Sequence, residues 1–246
     1  MSTVKPISFK NLSVKPCTVK PCKLTRKLGL RMLKTFMLGV ISLVLFASPL
    51  TSFAKQDTTQ NILVFGDSLS AAYGLAAEQG WAALLQKKLN ANSQTHFANQ
   101  FKVINASVSG ETTSGGLSRL EATLKKNQPS IVILELGAND GLRGLPINEM
   151  HNNLEKMLQL CKQYQAKVLL IGMKIPPNYG AKYTQSFNQT YEKLSKQYKT
   201  NLVPFMLDNV AAQPSLIQQD GLHPNALGQP IILENIWPQL LPLLKL

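Results

Sequence analysis

Five short apolar runs constrain this chain more than any other feature. They occupy 62–65, 103–106, 131–136, 168–171 and 202–205. Several of them lack polar alternation, which is the pattern of strands buried on both faces of a parallel sheet. Segments of helical spacing lie between and after them, at about 80–90, 114–126, 147–164, 183–198 and 226–241. In 147–164 the residues Ile147, Met150, Leu154, Met157, Leu158, Cys161 and Tyr164 step by three and four, which gives one apolar stripe. Strand and helix in alternation predict an α/β protein, with a three-layer α/β/α sandwich around a mainly parallel five-stranded sheet. The body shows neither a linker nor an internal repeat.

Charge divides the chain in two. Residues 1–54 hold nine Lys and Arg and no Asp or Glu, whereas the remaining 192 residues hold 17 basic and 13 acidic side chains. The +13 of the whole chain is therefore mostly a property of its first segment, and the body carries only +4. A nucleic-acid partner would need a basic patch in the folded part, so none is expected. Within the first segment, 36–47 is an uncharged apolar run of twelve residues, too short for a hydrocarbon core that needs about 20. Ser52, Phe53 and Ala54 follow, with small residues at the first and third positions. The pattern predicts a secretory signal cleaved after Ala54, which would leave 55–246 in the periplasm or outside the cell without a stable membrane anchor. An uncleaved membrane anchor is the alternative. Val-Lys-Pro recurs at 4–6, 14–16 and 19–21, and this stretch is long for a signal. Translation from Met32 instead of Met1 would give a leader of ordinary length. Cys17 and Cys22 lie in this segment and only Cys161 in the body, so processing leaves no intrachain disulfide.

In a parallel sheet the chemistry collects at the carboxyl ends of the strands. Gly66-Asp67-Ser68-Leu69-Ser70 follows the first run. Ser109-Gly110-Glu111-Thr112 follows the second, and Gly137-Ala138-Asn139-Asp140-Gly141 the third. Asp220-Gly221-Leu222-His223-Pro224 precedes the last helix. A serine hydroxyl is a weak nucleophile until a base takes its proton. Of the three histidines, His96 lies in a polar loop and His151 within the 147–164 helix. His223 alone has a carboxylate three residues earlier in a Gly/Pro-bounded turn. Asp220 could accept from its Nδ1–H and leave Nε2 to serve a serine. Acyl transfer also needs donors for the developing oxyanion, and the Ser68 and Gly110 amides and the Asn139 side chain are available. Singly each signal has a plain alternative: a helix cap for Ser68, a solvated turn for Asp220 and His223, an Asx turn or cap for Asn139, a simple turn for Gly110. Together, in order along the chain, they suggest a hydrolytic crevice.

These four blocks resemble those of the SGNH/GDSL hydrolase family: 66–69, 105–112, 137–140 and 220–223. The stretch 137–146 is similar to its bacterial periplasmic thioesterase, lysophospholipase and arylesterase group. The resemblance spans about 60–245 and implies a flavodoxin-like SGNH hydrolase fold. It also implies that Ser68 is the nucleophile, His223 the base and Asp220 its orienting carboxylate. Ser68, Gly110 and Asn139 would form the oxyanion hole. The implied enzyme is a serine esterase acting on small acyl esters, thioesters or lysophospholipids, as a monomer and without metal or cofactor. Zinc-type ligand spacing and a Gly-x-x-x-x-Gly-Lys phosphate loop are both absent from the sequence. Asp67, Leu69, Leu142, Pro146 and Ile175 are the candidates for contact with substrate. The polar stretch 90–100 reads as a surface insertion. Glu135, polar in an apolar run, needs either a buried hydrogen bond or an edge-facing position. Two other readings remain at this stage: a carbohydrate O-acetyl esterase, or a lipid-binding module without turnover.

Overall fold

A computed structural model of the chain describes residues 59–91, 97 and 100–245. The predicted leader, its cleavage after Ala54 and the start at Met32 lie outside the described residues. So do Cys17, Cys22, His96 and most of the polar 90–100 stretch.

The five apolar runs form one sheet, made of β1 (Gln60–Gly66), β2 (Phe101–Asn105), β3 (Ile131–Glu135), β4 (Lys167–Ile171) and β5 (Asn201–Val203). Their spatial order is β2-β1-β3-β4-β5 and every pairing is parallel. β1 and β3 are the inner pair, with Val64 opposite Ile133, and their apolar residues are buried on both faces. That double burial explains why the sequence shows unbroken apolar runs there.

Among the described residues, six α-helices complete the layers: α1 (Trp81–Ala91), α2 (Thr113–Asn127), the short α3 (Ala138–Leu142), α4 (Ile147–Gln163), α5 (Ala181–Tyr198) and α6 (Gly228–Leu244). Right-handed crossovers decide the faces. The step from β1 to β2 runs one way along the sheet and puts α1 on one face, where α6 packs against it. The steps from β2 through β3 and β4 to β5 run the other way, and α2, α4 and α5 pack in series on the opposite face. α4 buries Met150, Leu154, Met157, Leu158 and Cys161, the stripe read from the sequence. Each such side chain contributes roughly 1.5–3 kcal/mol of burial.

The winding reverses between β1 and β3. The chain leaving β1 turns toward one face and the chain leaving β3 toward the other, so a crevice opens at their carboxyl ends. One expectation needs correction. The fifth strand stops at Val203, not at 205: past Pro204 the pairing turns irregular, and Met206 N–H donates to the Gly172 carbonyl. Of the two readings of Glu135 the buried one holds: β3 is the central strand, the side chain is fully buried, and its Oε2 accepts from Ser70 Oγ.

Candidate active site

The chain leaving β1 folds into a tight turn at once. Ala71 N–H donates to the Asp67 carbonyl at 2.9 Å and Tyr73 N–H to the Ser68 carbonyl at 3.2 Å. Ser68 therefore sits at the first bend above the sheet. From the far end of the chain comes the loop that carries His223. It is braced by a bridge between Ile217 and Pro224 and by Gln218 N–H donating to the His223 carbonyl at 2.8 Å. These two loops, 155 residues apart in sequence, bring His223 Nε2 to 2.9 Å from Ser68 Oγ. On the other side of the imidazole, Nδ1 lies 2.6 Å from Asp220 Oδ2. Asp220 Oδ1 accepts from the Leu222 and His223 N–H groups at 2.9 and 3.0 Å. Those backbone donors and the imidazole hold the Asp220 carboxyl down to about 2, although it is open to solvent.

Two amides face the same crevice unspent. Among the described residues, neither Ser68 N–H nor Gly110 N–H donates to an acceptor of the protein. Gly110 has φ 78°, a left-handed conformation that strains any residue with a Cβ, and its carbonyl is held from outside by Arg143 Nη2 at 2.9 Å. Asn139, at the start of α3, differs from both. Its Nδ2 donates to Asp67 Oδ2 and to the Glu111 carbonyl, each at 3.0 Å.

Beneath Ser68 lies a floor of two buried carboxyls. Asp67 Oδ1 accepts from Leu69 N–H at 3.0 Å. Glu135 Oε2 accepts from Ser70 Oγ at 2.7 Å and Asp67 N–H at 3.2 Å, while its Oε1 is buried without a partner. Gly66 leaves room for this: a Cβ there would come within 2.5 Å of Glu135 Oε2. Burial pushes the Asp67 carboxyl up to about 6, against the pull of Leu69 N–H and Asn139. Burial and the neighbouring Asp67 push Glu135 well above the usual carboxylate range. A third carboxyl, Asp140, is tied to Thr113, whose N–H and Oγ1 donate to it at 2.8 and 2.6 Å. This ties the loop after β3 to the start of α2.

Above the floor opens a cleft of about 390 Å³. Ser68, His223, Gly110 and Asn139 line it, as do Asp67, Leu69, Leu142 and Ile175. Pro146 does not. It caps α4, exposed, where its fixed φ starts a helix that leads away from the crevice. The segment 142–145 is pinned from the α5 side, since Tyr179 and Tyr183 hydroxyls donate to the Leu142 and Leu145 carbonyls at 2.7 Å each. The sequence reading missed a large part of the wall, including Tyr73, Met173, Phe205, Leu207, Ala211 and Ile217. The run of apolar residues in the connection between β5 and α6 is a signal that could have found four of them, since a purely structural surface loop has no need of it. Among the described residues, no group of three His, Cys, Asp or Glu side chains is placed to hold a metal ion. Nor is any helix there long and apolar enough to cross a membrane.

A parallel α/β sheet with a serine, an imidazole and a carboxylate in line at its switch point defines a carboxylic ester hydrolase of the serine type. A family model, the GDSL-like lipase/acylhydrolase family, matches residues 64–231, and the chain belongs to that family. It is 45% identical over 206 residues to Esterase TesA of Pseudomonas aeruginosa, covering 84% of this chain and 96% of that protein. It is 41% identical over 184 residues to thioesterase 1/protease 1/lysophospholipase L1 of Escherichia coli K12, covering 75% and 85%. Among solved structures it resembles the psychrotrophic esterase EstA from Pseudoalteromonas sp., inhibited by monoethylphosphonate. The TM-score is 0.71 at 40% identity, with 76% of this chain and all of that one covered.

Proposed function

We propose that this enzyme cleaves acyl esters and thioesters, lysophospholipids among them, through an acyl-enzyme on Ser68. One observation carries the reading: the unbroken row from Ser68 Oγ through His223 to Asp220, at 2.9 and 2.6 Å. Ser68 Oγ attacks the carbonyl carbon as His223 Nε2 takes its proton. The Ser68 and Gly110 N–H groups and the Asn139 amide stabilise the oxyanion. The bond to oxygen or sulfur then breaks, and His223 returns its proton to the leaving alcohol or thiol. Water, deprotonated by His223, releases the acid and restores Ser68. Asp220 holds the imidazole in the tautomer that this sequence of transfers requires.

The apolar wall of Leu142, Ile175, Phe205, Leu207 and Ile217 supports an acyl chain in preference to a sugar acetate, and so do the names of the relatives. The basic, apolar-cored segment 1–54 supports export to the periplasm with cleavage after Ala54. N-terminal sequencing of the exported protein reads that cleavage directly. A fluorophosphonate probe tests the mechanism. Wild type is expected to be labelled at Ser68, and Ser68→Ala to lose both label and nearly all hydrolysis of a p-nitrophenyl ester. Full activity in Ser68→Ala would overturn the assignment. A p-nitrophenyl series from acetate to palmitate then grades acyl length.

A further inference from the structure

The turn after β1 carries an aromatic residue that the mechanism above does not use. The Tyr73 ring lies against the His223 imidazole, with centroids 4.5 Å apart and planes 38° from parallel. Tyr73 follows Ala72, which takes φ 58°, a left-handed conformation that is uncommon for a residue with a Cβ. Such outliers persist where the surroundings hold them, and they cluster at functional sites. Here the surroundings are visible. Gln218 Nε2 donates to the Tyr73 carbonyl at 2.8 Å and to the Pro224 carbonyl at 3.0 Å. Gln218 N–H donates to the His223 carbonyl. One half-buried side chain thus ties the nucleophile turn to the histidine loop across 145 residues of sequence.

We propose that Tyr73 is a positioning residue for the reaction: its ring face steadies the positive charge that His223 acquires in each transfer, and Gln218 locks the ring there. This rests on the reading of Ser68 and His223 as the reacting pair. An aromatic face attracts a cation, and a face that stays in place steadies the charge only when the charge forms. The charged and titratable groups around the imidazole are Asp220 on its own loop, Tyr73 on its face and Asp67 below Ser68, with Lys174 elsewhere on the cleft wall. Covering a ring also strips water, which opposes the charge. The His223 side chain is 13% exposed, so the two effects oppose each other at this ring, and the direction in which the acid limb moves when Tyr73 is removed reads which one wins.

The test is the pH profile of kcat/KM for a short p-nitrophenyl ester in wild type, Tyr73→Ala, Tyr73→Phe, Gln218→Leu and the Tyr73→Ala/Gln218→Leu double variant. Each variant is checked for folding by its melting temperature. Tyr73→Ala is expected to lower the plateau by roughly 2- to 30-fold and to move the acid limb to lower pH. Tyr73→Phe keeps the ring face, so its acid limb stays in place whatever happens to the rate. Gln218→Leu is expected to move the limb in the same direction, and the double variant to move it no further than Tyr73→Ala does. A limb unmoved in Tyr73→Ala, or moved to higher pH, or moved equally in Tyr73→Phe, overturns the role of the ring, because lost packing alone uncovers the imidazole to water and can move the limb only upward. Full additivity in the double variant overturns the role of Gln218. Fluorophosphonate labelling separates the failures: an unlabelled wild type sinks the reading of Ser68, whereas a labelled enzyme with an unmoved limb sinks only this proposal.

Discussion

Asp220 and the pair Asp67–Glu135 are carboxyls of one cleft held in opposite ways. Asp220 is open to solvent and takes two backbone N–H groups and an imidazole, which depress its carboxyl to about 2. Asp67 and Glu135 are shut away under Ser68, where the missing water outweighs their few donors and raises both. The outer carboxyl is a fixed negative charge beside the imidazole. The inner pair is a scaffold whose negative charge is disfavoured. Burial decides which: all three accept backbone N–H groups, but only at the rim does water remain beside the charge.

The sharpest way to break this comparison is at the rim. Asp220→Ala is expected to cost roughly 10³–10⁴ in kcat at neutral pH, with a smaller loss of melting temperature than a variant of the floor shows, because the imidazole loses its orienting acceptor. Steady-state kinetics on a p-nitrophenyl ester would show it, and a loss below tenfold would mean that Asp220 merely caps its turn. On the floor the loss falls on stability. Glu135→Ala leaves Ser70 Oγ and Asp67 N–H without their acceptor and is expected to cost about 2–4 kcal/mol in denaturant unfolding. Glu135→Gln keeps an acceptor without the ionisable group. Because the Glu135 carboxyl is raised in the fold, its stabilising contribution is complete below its unfolded value of 4.5 and fades as pH climbs through its raised value. The variant is therefore expected to gain on wild type as the medium becomes alkaline, and parallel melting curves from pH 5 to 9 would contradict that.

The smallest effect separates the two aspartates in acid. The raised Asp67 contributes most below pH 3.8 and loses its contribution toward pH about 6. The depressed Asp220 contributes above pH 3.8 and loses its contribution as pH falls toward about 2. Melting of Asp220→Asn is thus expected to approach that of wild type as acid is added below pH 4. A gap that stays constant there would show that the Asp220 carboxylate gains nothing from its donors in the fold.

Much of this was legible from local pattern. Val64, Ile133 and their neighbours read as buried strands because they are covered on both faces, and Met150, Leu154, Met157 and Cys161 read as a helix stripe. Ser68, Gly110 and Asn139 were easy to single out because a parallel sheet presents the loops after its strands at one end. What escaped depends on which loops meet. Tyr73 carries no periodic signal, and its contact with His223 exists only once Gln218 draws two distant loops together. Glu135 was noticed as an anomaly but not placed, because a single run cannot say whether its strand is central. Pro146 sits close in sequence to a lining residue, Leu142, yet one turn of chain carries it outside. The donors of Asn139 looked free because its two acceptors arrive from β1 and β2.

That double engagement of Asn139 has a consequence for how a catalytic cycle begins. Both hydrogens of its amide are already committed, one to Asp67 and one to the Glu111 carbonyl. In the proposed mechanism an arriving carbonyl oxygen cannot simply dock on three idle donors. It meets two, and recruits the third only by displacing the Glu111 or the Asp67 oxygen. The negative oxygen of the intermediate is a stronger acceptor than any peptide carbonyl, so the swap favours the moment of attack over mere occupancy. The resting enzyme keeps its last donor in reserve.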